Sequence, residues 1–240
     1  MHLVLTARRQ SQLDELSADL NRRHGTRCEI IPGDLVTPGF PAQLIQTIRD
    51  RRIQIDLLIN NAGFGYVTTI QNTDLPRVLR LIDLNIRALT ELTYLALHDM
   101  LARQQGAIIN VSSVAGFQPV AYMPAYSASK SYVLLFSEAL WAETRDQGVT
   151  VLALCPGTTQ TDFFEVSGVG GWLKKHRSQT VDQVVKTALK ALGRKRQYTV
   201  SGWGNYLLAQ AVRLASRKLV VLESMKYFRP TPSRRPPGSS

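Results

Sequence analysis

Tyr126-Ser-Ala-Ser-Lys130 sets a phenol and an ammonium four residues apart, on one face if the segment is helical. A free phenol titrates at about 10, too high for ready proton exchange at neutral pH. A fixed positive charge beside it is expected to favour the phenolate and lower that value, making Tyr126 a usable general acid or base. Ser113 precedes Tyr126 by 13 residues and falls at the carboxyl end of an expected strand. In an open α/β sheet that end faces the ligand crevice, where a hydroxyl can donate to a carbonyl oxygen that is gaining charge. A Tyr-xxx-Lys pair alone arises by chance roughly once in a few hundred residues, and Ser112 and Ser113 could simply end a strand, so the surrounding sequence must decide.

That sequence alternates short β-rich runs with amphipathic stretches, the pattern of βαβ units and a parallel sheet. Strands are expected at residues 2–6, 28–32, 56–59, 107–111, 149–154 and 197–200. Helices are expected at 11–24 with Leu13, Leu16 and Leu20 on one face, and at 41–51, 76–103, 124–147, 180–192 and 205–227. Pro124 suits a first helical turn, where its missing N–H costs nothing. Thr180-Val-Asp-Gln183 fits a capping box. Residues 149–154 form the most continuously apolar of these strands, as expected for one buried on both faces. No internal repeat is present.

The 240 residues suffice for one domain with a substantial core. No apolar run approaches the roughly 18–20 residues that span a bilayer, and Arg8 and Arg9 interrupt any signal-peptide pattern. Cys28 and Cys155 match neither a disulfide framework nor a zinc site, and His2, His24, His98 and His176 give no HxxxH pair, so a cytoplasmic, metal-free protein is expected. No GxSxG is present, which argues against serine-hydrolase chemistry. Residues 1–193 hold 19 Lys or Arg against 17 Asp or Glu, whereas residues 194–240 hold 10 against one. The basicity thus belongs to the C-terminal segment, unlike a nucleic-acid-binding domain whose basic face is part of its fold. It is either a solvated tail or a contact for a membrane surface or RNA.

With Asn60-Asn-Ala-Gly63, Asn85 in Leu84-Asn-Ile86, Ser113 in Val111-Ser-Ser-Val-Ala-Gly116, Tyr126-xxx-Lys130, and Pro156-Gly157 followed by Thr161, the chain resembles the classical short-chain dehydrogenases/reductases over about residues 2–200. The resemblance implies a Rossmann-like, doubly wound α/β fold and NAD(P)-dependent interconversion of a carbonyl and an alcohol. It implies a tetrad of Asn85, Ser113, Tyr126 and Lys130. Tyr126 would exchange the proton and Ser113 would hold the substrate oxygen. Lys130 would tune Tyr126 and bind the nicotinamide ribose, and Asn85 would position a water for proton resupply. Asp34 and Leu35 resemble the adenine-binding pair, and Asn61, Ala62 and Gly63 would pass beneath the adenosine side. Pro156, Gly157 and Thr161 would lie along the cofactor, Thr161 at the nicotinamide amide or the pyrophosphate. The first strand ends Leu5-Thr-Ala-Arg-Arg9 with no acid for the ribose hydroxyls, and Arg8 or Arg9 can pair with a 2′-phosphate, which favours NADP(H) over NAD(H).

One part of the pattern is missing. The family opens with a strand, a TGxxxGxG turn and a helix whose amino end holds the pyrophosphate, and Met1 falls at the family's second strand. In strand order 3-2-1-4-5-6-7 this leaves a gap between strands 2 and 4. Either Met1 is internal to a protein with about 30 more residues, the reading favoured by the complete tetrad, or this is a shortened homologue that keeps the tetrad unused.

The expected organisation is an incomplete Rossmann-type domain at 1–203, a basic helical extension at 204–228 and a disordered tail at 229–240. A loop containing Phe163, Phe164, Val166, Val169, Trp172 and Leu173 would line a site for a small apolar carbonyl or alcohol. Helices near 77–103 and 126–146 would form a homodimer or homotetramer. Two other classes compete. One is a non-catalytic binding or scaffold protein on this fold. The other is a membrane- or RNA-associated protein in which Trp203, Leu207, Leu208, Val212, Leu219 and Tyr227 face lipid, with Arg213, Arg217, Lys218 and Lys226 beside phosphates. Against that stands a helix that packs on the body and closes the substrate pocket.

Overall fold

A computed structural model describes residues 2–163, 167 and 178–230. Phe164, Val166, Val169, Trp172 and Leu173, and the tail from 231 on, lie outside the described residues.

The chain alternates strands and helices throughout. In order these are β1 (His2–Leu5), α1 (Gln10–His24), β2 (Arg27–Ile30), α2 (Phe40–Asp50), β3 (Leu57–Asn60) and α3 (Leu75–Ile82). After a π-helical stretch at Asp83–Ala88 come α4 (Leu89–Ala102), β4 (Gly106–Val111), α5 (Pro124–Thr144) and β5 (Val149–Cys155). The last elements are α6 (Val181–Gly193), β6 (Tyr198–Val200), α7 (Trp203–Leu214) and α8 (Arg217–Tyr227). All strand pairs are parallel, in a Rossmann-like α/β arrangement. The period-2 alternation of the strands sends neighbouring residues to opposite layers. Ile108 and Val151 pack with Ala96, Leu97, Met100 and Leu140 of α4 and α5, while Ile109 and Leu152 pack with Val184, Ala188 and Ala191 of α6. Both bonds of the capping box at α6 are made: Thr180 Oγ1 accepts from the Gln183 N–H, and Gln183 Oε1 accepts from the Thr180 N–H.

The sheet is in two pieces, β1-β2 and β3-β4-β5-β6. The interruption separates β1 and β2 from β3 to β6. It leaves Leu57 and Ile59 of β3 38% and 53% exposed. The two pieces are joined through α2: Leu44, Ile45 and Ile48 pack with Leu92 of α4, with Val4 and Ile31 on one side and Leu58 on the other.

Three elements depart from the sequence reading. The helix expected at 76–103 contains the π stretch, which admits an extra residue per turn and rotates α4 relative to α3. The helix expected at 205–227 is two helices, because Ala215 is extended and the Ser216 hydroxyl caps α8 by accepting from the Leu219 N–H. In α1 only Leu13 is buried and Leu16 faces solvent.

Candidate active site

Ser113 leaves β4 in extended conformation and caps a short 3₁₀ turn, its Oγ accepting from the Ala115 N–H at 3.1 Å. Pro124 begins α5, so Tyr126 and Lys130 fall in its first two turns, facing Ser113. Ser113 stands beside the Tyr126 phenol, near enough for its hydroxyl to act on it, and both line the same cleft. Lys130 is buried, and its Nζ donates to the Val111 carbonyl at 2.7 Å. Behind this group the Ser112 Oγ donates to the Lys130 carbonyl at 2.6 Å, tying β4 to α5 a second time.

Burial dominates the electrostatics. It pushes the Tyr126 phenol up to about 12, against which the Ser113 hydroxyl works in the lowering direction. It pushes the Lys130 ammonium down to about 8, opposed by the Cys155 thiol, which burial in turn holds up at about 12. The expected lowering of the phenol by Lys130 is therefore not found in this structure. The Nζ stands 5.8 Å from the Tyr126 ring centroid and is directed to Val111, so desolvation outweighs the charge.

Asn85 sits in the π stretch, fully buried. Its Oδ1 accepts from the Phe64 N–H at 3.1 Å, and its Nδ2 donates to the Phe64 carbonyl at 3.0 Å and to Ser129 Oγ at 3.1 Å. The side-chain amide thus ties the loop after β3 to the π stretch and to α5. The same loop passes close to the site. A Cβ on Gly63 would lie 3.0 Å from Asn85 Oδ1 and 3.5 Å from Lys130 Nζ, and one on Gly65 would lie 2.6 Å from Tyr126 Cδ2. Phe163 contacts the Tyr126 ring at 5.5 Å between centroids.

Ser113, Tyr126 and Lys130 line a cleft of about 1610 Å³, together with Asn61, Gly63, Pro156, Gly157, Thr161 and Arg9. Arg8, Asp34, Leu35 and Ala62 do not line it. Asp34 accepts from the Val36 N–H and pairs with Arg80, and Leu35 packs against α2. Leu208, Val212, Leu219 and Tyr227, which one reading of the sequence turned toward lipid, form a wall of the cleft instead. The C-terminal helices are fixed there by Ser224, whose Oγ accepts from the Ala121 N–H at 3.0 Å, and by Asn205, which lies so close to Gly157 that a Cβ there would be 2.2 Å from Asn205 Nδ2.

Sequence reasoning gave no part in the site to Gly65, Ser112, Asn205 or Ser224. It also passed over a buried polar chain: Asn60 Nδ2 donates to Thr93 Oγ1 and Asn110 Oδ1, and Asn110 Nδ2 donates to Ser137 Oγ. These polar residues stand inside otherwise apolar strands and helices, which was the available signal. Among the described residues no group of three His, Cys, Asp or Glu could hold a metal, and no helix is long and apolar enough to cross a membrane.

The family described as short chain dehydrogenase matches over residues 1–168. The very-long-chain 3-oxoacyl-CoA reductase of Homo sapiens is 29% identical over 202 residues, covering 80% of this chain and 61% of that protein. The ketoacyl reductase HetN of Nostoc sp. is 34% identical over 155 residues, 65% of this chain and 54% of that one. The chain thus spans 54–61% of the length of these relatives. Among solved structures, a short-chain dehydrogenase from Sphingobium yanoikuyae in complex with NADPH superposes with TM-score 0.80 at 32% identity, covering 91% of this chain and 85% of that one. With the Rossmann-like fold and a family match over more than half its length, the chain belongs to the short chain dehydrogenase family of oxidoreductases.

Proposed function

We propose that the cleft interconverts a large apolar carbonyl compound and its alcohol with NADP(H), Tyr126 acting as general acid in reduction and general base in oxidation. The observation that carries this reading is the meeting of Ser113 and Tyr126 on the wall of one cleft, with the buried Lys130 ammonium one helical turn beyond.

The residues present fit the nicotinamide half of the cofactor. Val111 is the hydrogen-bond acceptor that Lys130 Nζ has among the described residues, which leaves N–H donors of a buried ammonium for ribose hydroxyls. Gly63 keeps the loop beside it free of a side chain. At the other end Arg9 offers a guanidinium to a 2′-phosphate, the basis for preferring NADP(H). When bound, the dihydronicotinamide supplies the hydride that reaches the carbonyl carbon.

Tyr126 then gives its hydroxyl proton to the carbonyl oxygen, and Ser113 donates a hydrogen bond to the same oxygen as charge gathers on it. A phenol held near 12 keeps its proton at neutral pH, which suits the acid role. The apolar wall of Leu208, Val212, Leu219 and Tyr227 supports a substrate with a large hydrocarbon body. Exposed Tyr94, Tyr132 and Leu135 on α4 and α5 support a homo-oligomer through those helices.

The interrupted sheet favours a second reading, a non-catalytic protein on the same fold. A screen of NADPH oxidation over apolar ketones and aldehydes, beside titration of NADPH fluorescence, separates the two. Turnover that Tyr126→Phe abolishes supports the enzyme. Absence of both turnover and saturable fluorescence quenching overturns it.

A further inference from the structure

The helices α7 and α8 carry a second apolar face that the cleft does not use. In α7, Ala209 is buried against the body and Leu208 and Val212 line the cleft, whereas Trp203, Leu207 and Leu214 recur at helical spacing on the remaining side. They are 73%, 50% and 91% exposed. Tyr206 stacks on Trp203 at 5.6 Å and adds an aromatic edge with a polar tip. Next to Leu214, where the chain turns from α7 into α8, stand the exposed Arg213, Arg217 and Lys218; neither Arg217 nor Lys218 makes an ion pair among the described residues. They belong to the segment 194–240, which holds 10 Lys or Arg against one acid.

We infer that this face, centred on Trp203, Leu207 and Leu214, docks onto the surface of an anionic lipid bilayer. A helix of 12 residues is roughly 18 Å long, too short to cross a bilayer core of about 30 Å but suited to lying in its interface. There the Leu side chains enter the acyl boundary, Trp203 sits at headgroup level, and Arg217 and Lys218 face lipid phosphates, while Arg213 lies toward Glu138 of α5. Charge selects this occupant. A second copy of the chain on the same face would oppose the cations to themselves, and an RNA would satisfy them but leave Leu207 and Leu214 in water. Because the opposite side of α7 lines the cleft, docking would set the mouth of the cleft beside the membrane, where apolar compounds partition.

The full chain is sedimented with vesicles of phosphatidylcholine alone and of phosphatidylcholine mixed with phosphatidylserine, at low and high salt. The expected result is binding to the mixed vesicles, weakened by salt, and lowered at least about tenfold in the Leu207→Glu/Leu214→Glu variant. Both positions are exposed and outside the cleft, so the variant's thermal midpoint is expected to match the parent's. Equal binding by variant and parent, or no binding to either vesicle, overturns the inference. So does a dimer that the variant dissolves, or retention on RNA, in the absence of vesicle binding.

Discussion

Lys130 Nζ donates to the carbonyl oxygen of Val111, the last residue of β4, and so clamps the first turns of α5 to the strand end from which Ser113 emerges. The ammonium therefore positions the two hydroxyl-bearing elements as well as offering charge to a ribose. Lys130→Met is expected to weaken NADPH binding by about tenfold, from lost charge-assisted hydrogen bonds. It should also lower kcat by about a hundredfold or more, because proton transfer needs its partner held in place. Fluorescence titration and steady-state kinetics read the two effects separately.

The pH dependence of stability should have two limbs of opposite sign. The Lys130 value of about 8 lies below its ordinary 10.5, so between these the unfolded chain binds more protons and stability rises with pH. The Tyr126 value of about 12 lies above its ordinary 10.0, so its contribution is fully present below pH 10.0 and is lost as pH rises toward 12. Urea midpoints of Tyr126→Phe and the parent should coincide in trend below pH 10, then diverge by on the order of 2 kcal/mol, the parent falling. Parallel curves to the most alkaline point would contradict the burial of the phenol.

Gly65→Ala tests how tightly the Tyr126 ring is held. The added methyl would meet ring carbons at 2.6 and 2.9 Å and the Phe163 ring at 3.1 Å, so either the ring or the loop must shift, and the loop is held by its bonds to Asn85. A displacement of this kind is expected to cost roughly a hundredfold in kcat with little change in NADPH affinity. An unchanged kcat would show that the loop yields instead of the ring.

Asn85→Ala removes the partner of both Phe64 backbone groups. Each buried group left unpaired costs about 1–3 kcal/mol, so a destabilisation of roughly 2–4 kcal/mol is expected in denaturant unfolding. NADPH affinity should fall with it, since the Asn61–Phe64 loop lines the cleft. A loss of turnover with stability intact would point to a direct chemical role instead.

Extending the chain at its amino end with a strand, a Gly-rich turn and a helix tests the gap in the sheet. The strand would pair with the open edges of β1 and β3, and the turn would supply backbone donors to the pyrophosphate. Two or three such charge-assisted bonds should tighten NADPH binding by about a thousandfold. Equal affinities and rates from the two forms would make that unit dispensable.

The strands, most helices and the approach of Ser113 to Tyr126 were legible because each is written in local pattern: alternation, a Pro at a helix start, a fixed distance from strand end to helix. The features that escaped depend on contacts far apart in the chain. Asn85 reads as a polar residue inside a helix, and only the fold shows that it meets Phe64. Gly65 reads as a loop glycine until the Tyr126 ring is laid against it. The π stretch keeps an apolar rhythm on both sides, so the sequence continues as one helix across it. The break before α8 did carry a local sign, Ser216 ahead of an apolar run, but the long amphipathic stretch outweighed it. The lowered phenol was misjudged because spacing fixes proximity along a helix but not how much water surrounds a group.

Because β1 and β2 hydrogen-bond to each other and to no strand of the larger sheet, the segment from His2 to Ile30 can open without breaking one ladder bond of β3 to β6. It is attached through the apolar contact of Val4 and the adjoining Ile31 with α2, and through the ion pair of Glu29 with Arg51 at the end of α2. The amide protons of Leu3, Val4 and Cys28 should therefore exchange with solvent through a local opening of low free energy, while those of Val151 and Leu152 wait for global unfolding. The same opening carries Arg9 away from the cleft that it lines, so adenosine-side affinity and amide protection in β1 should rise and fall together.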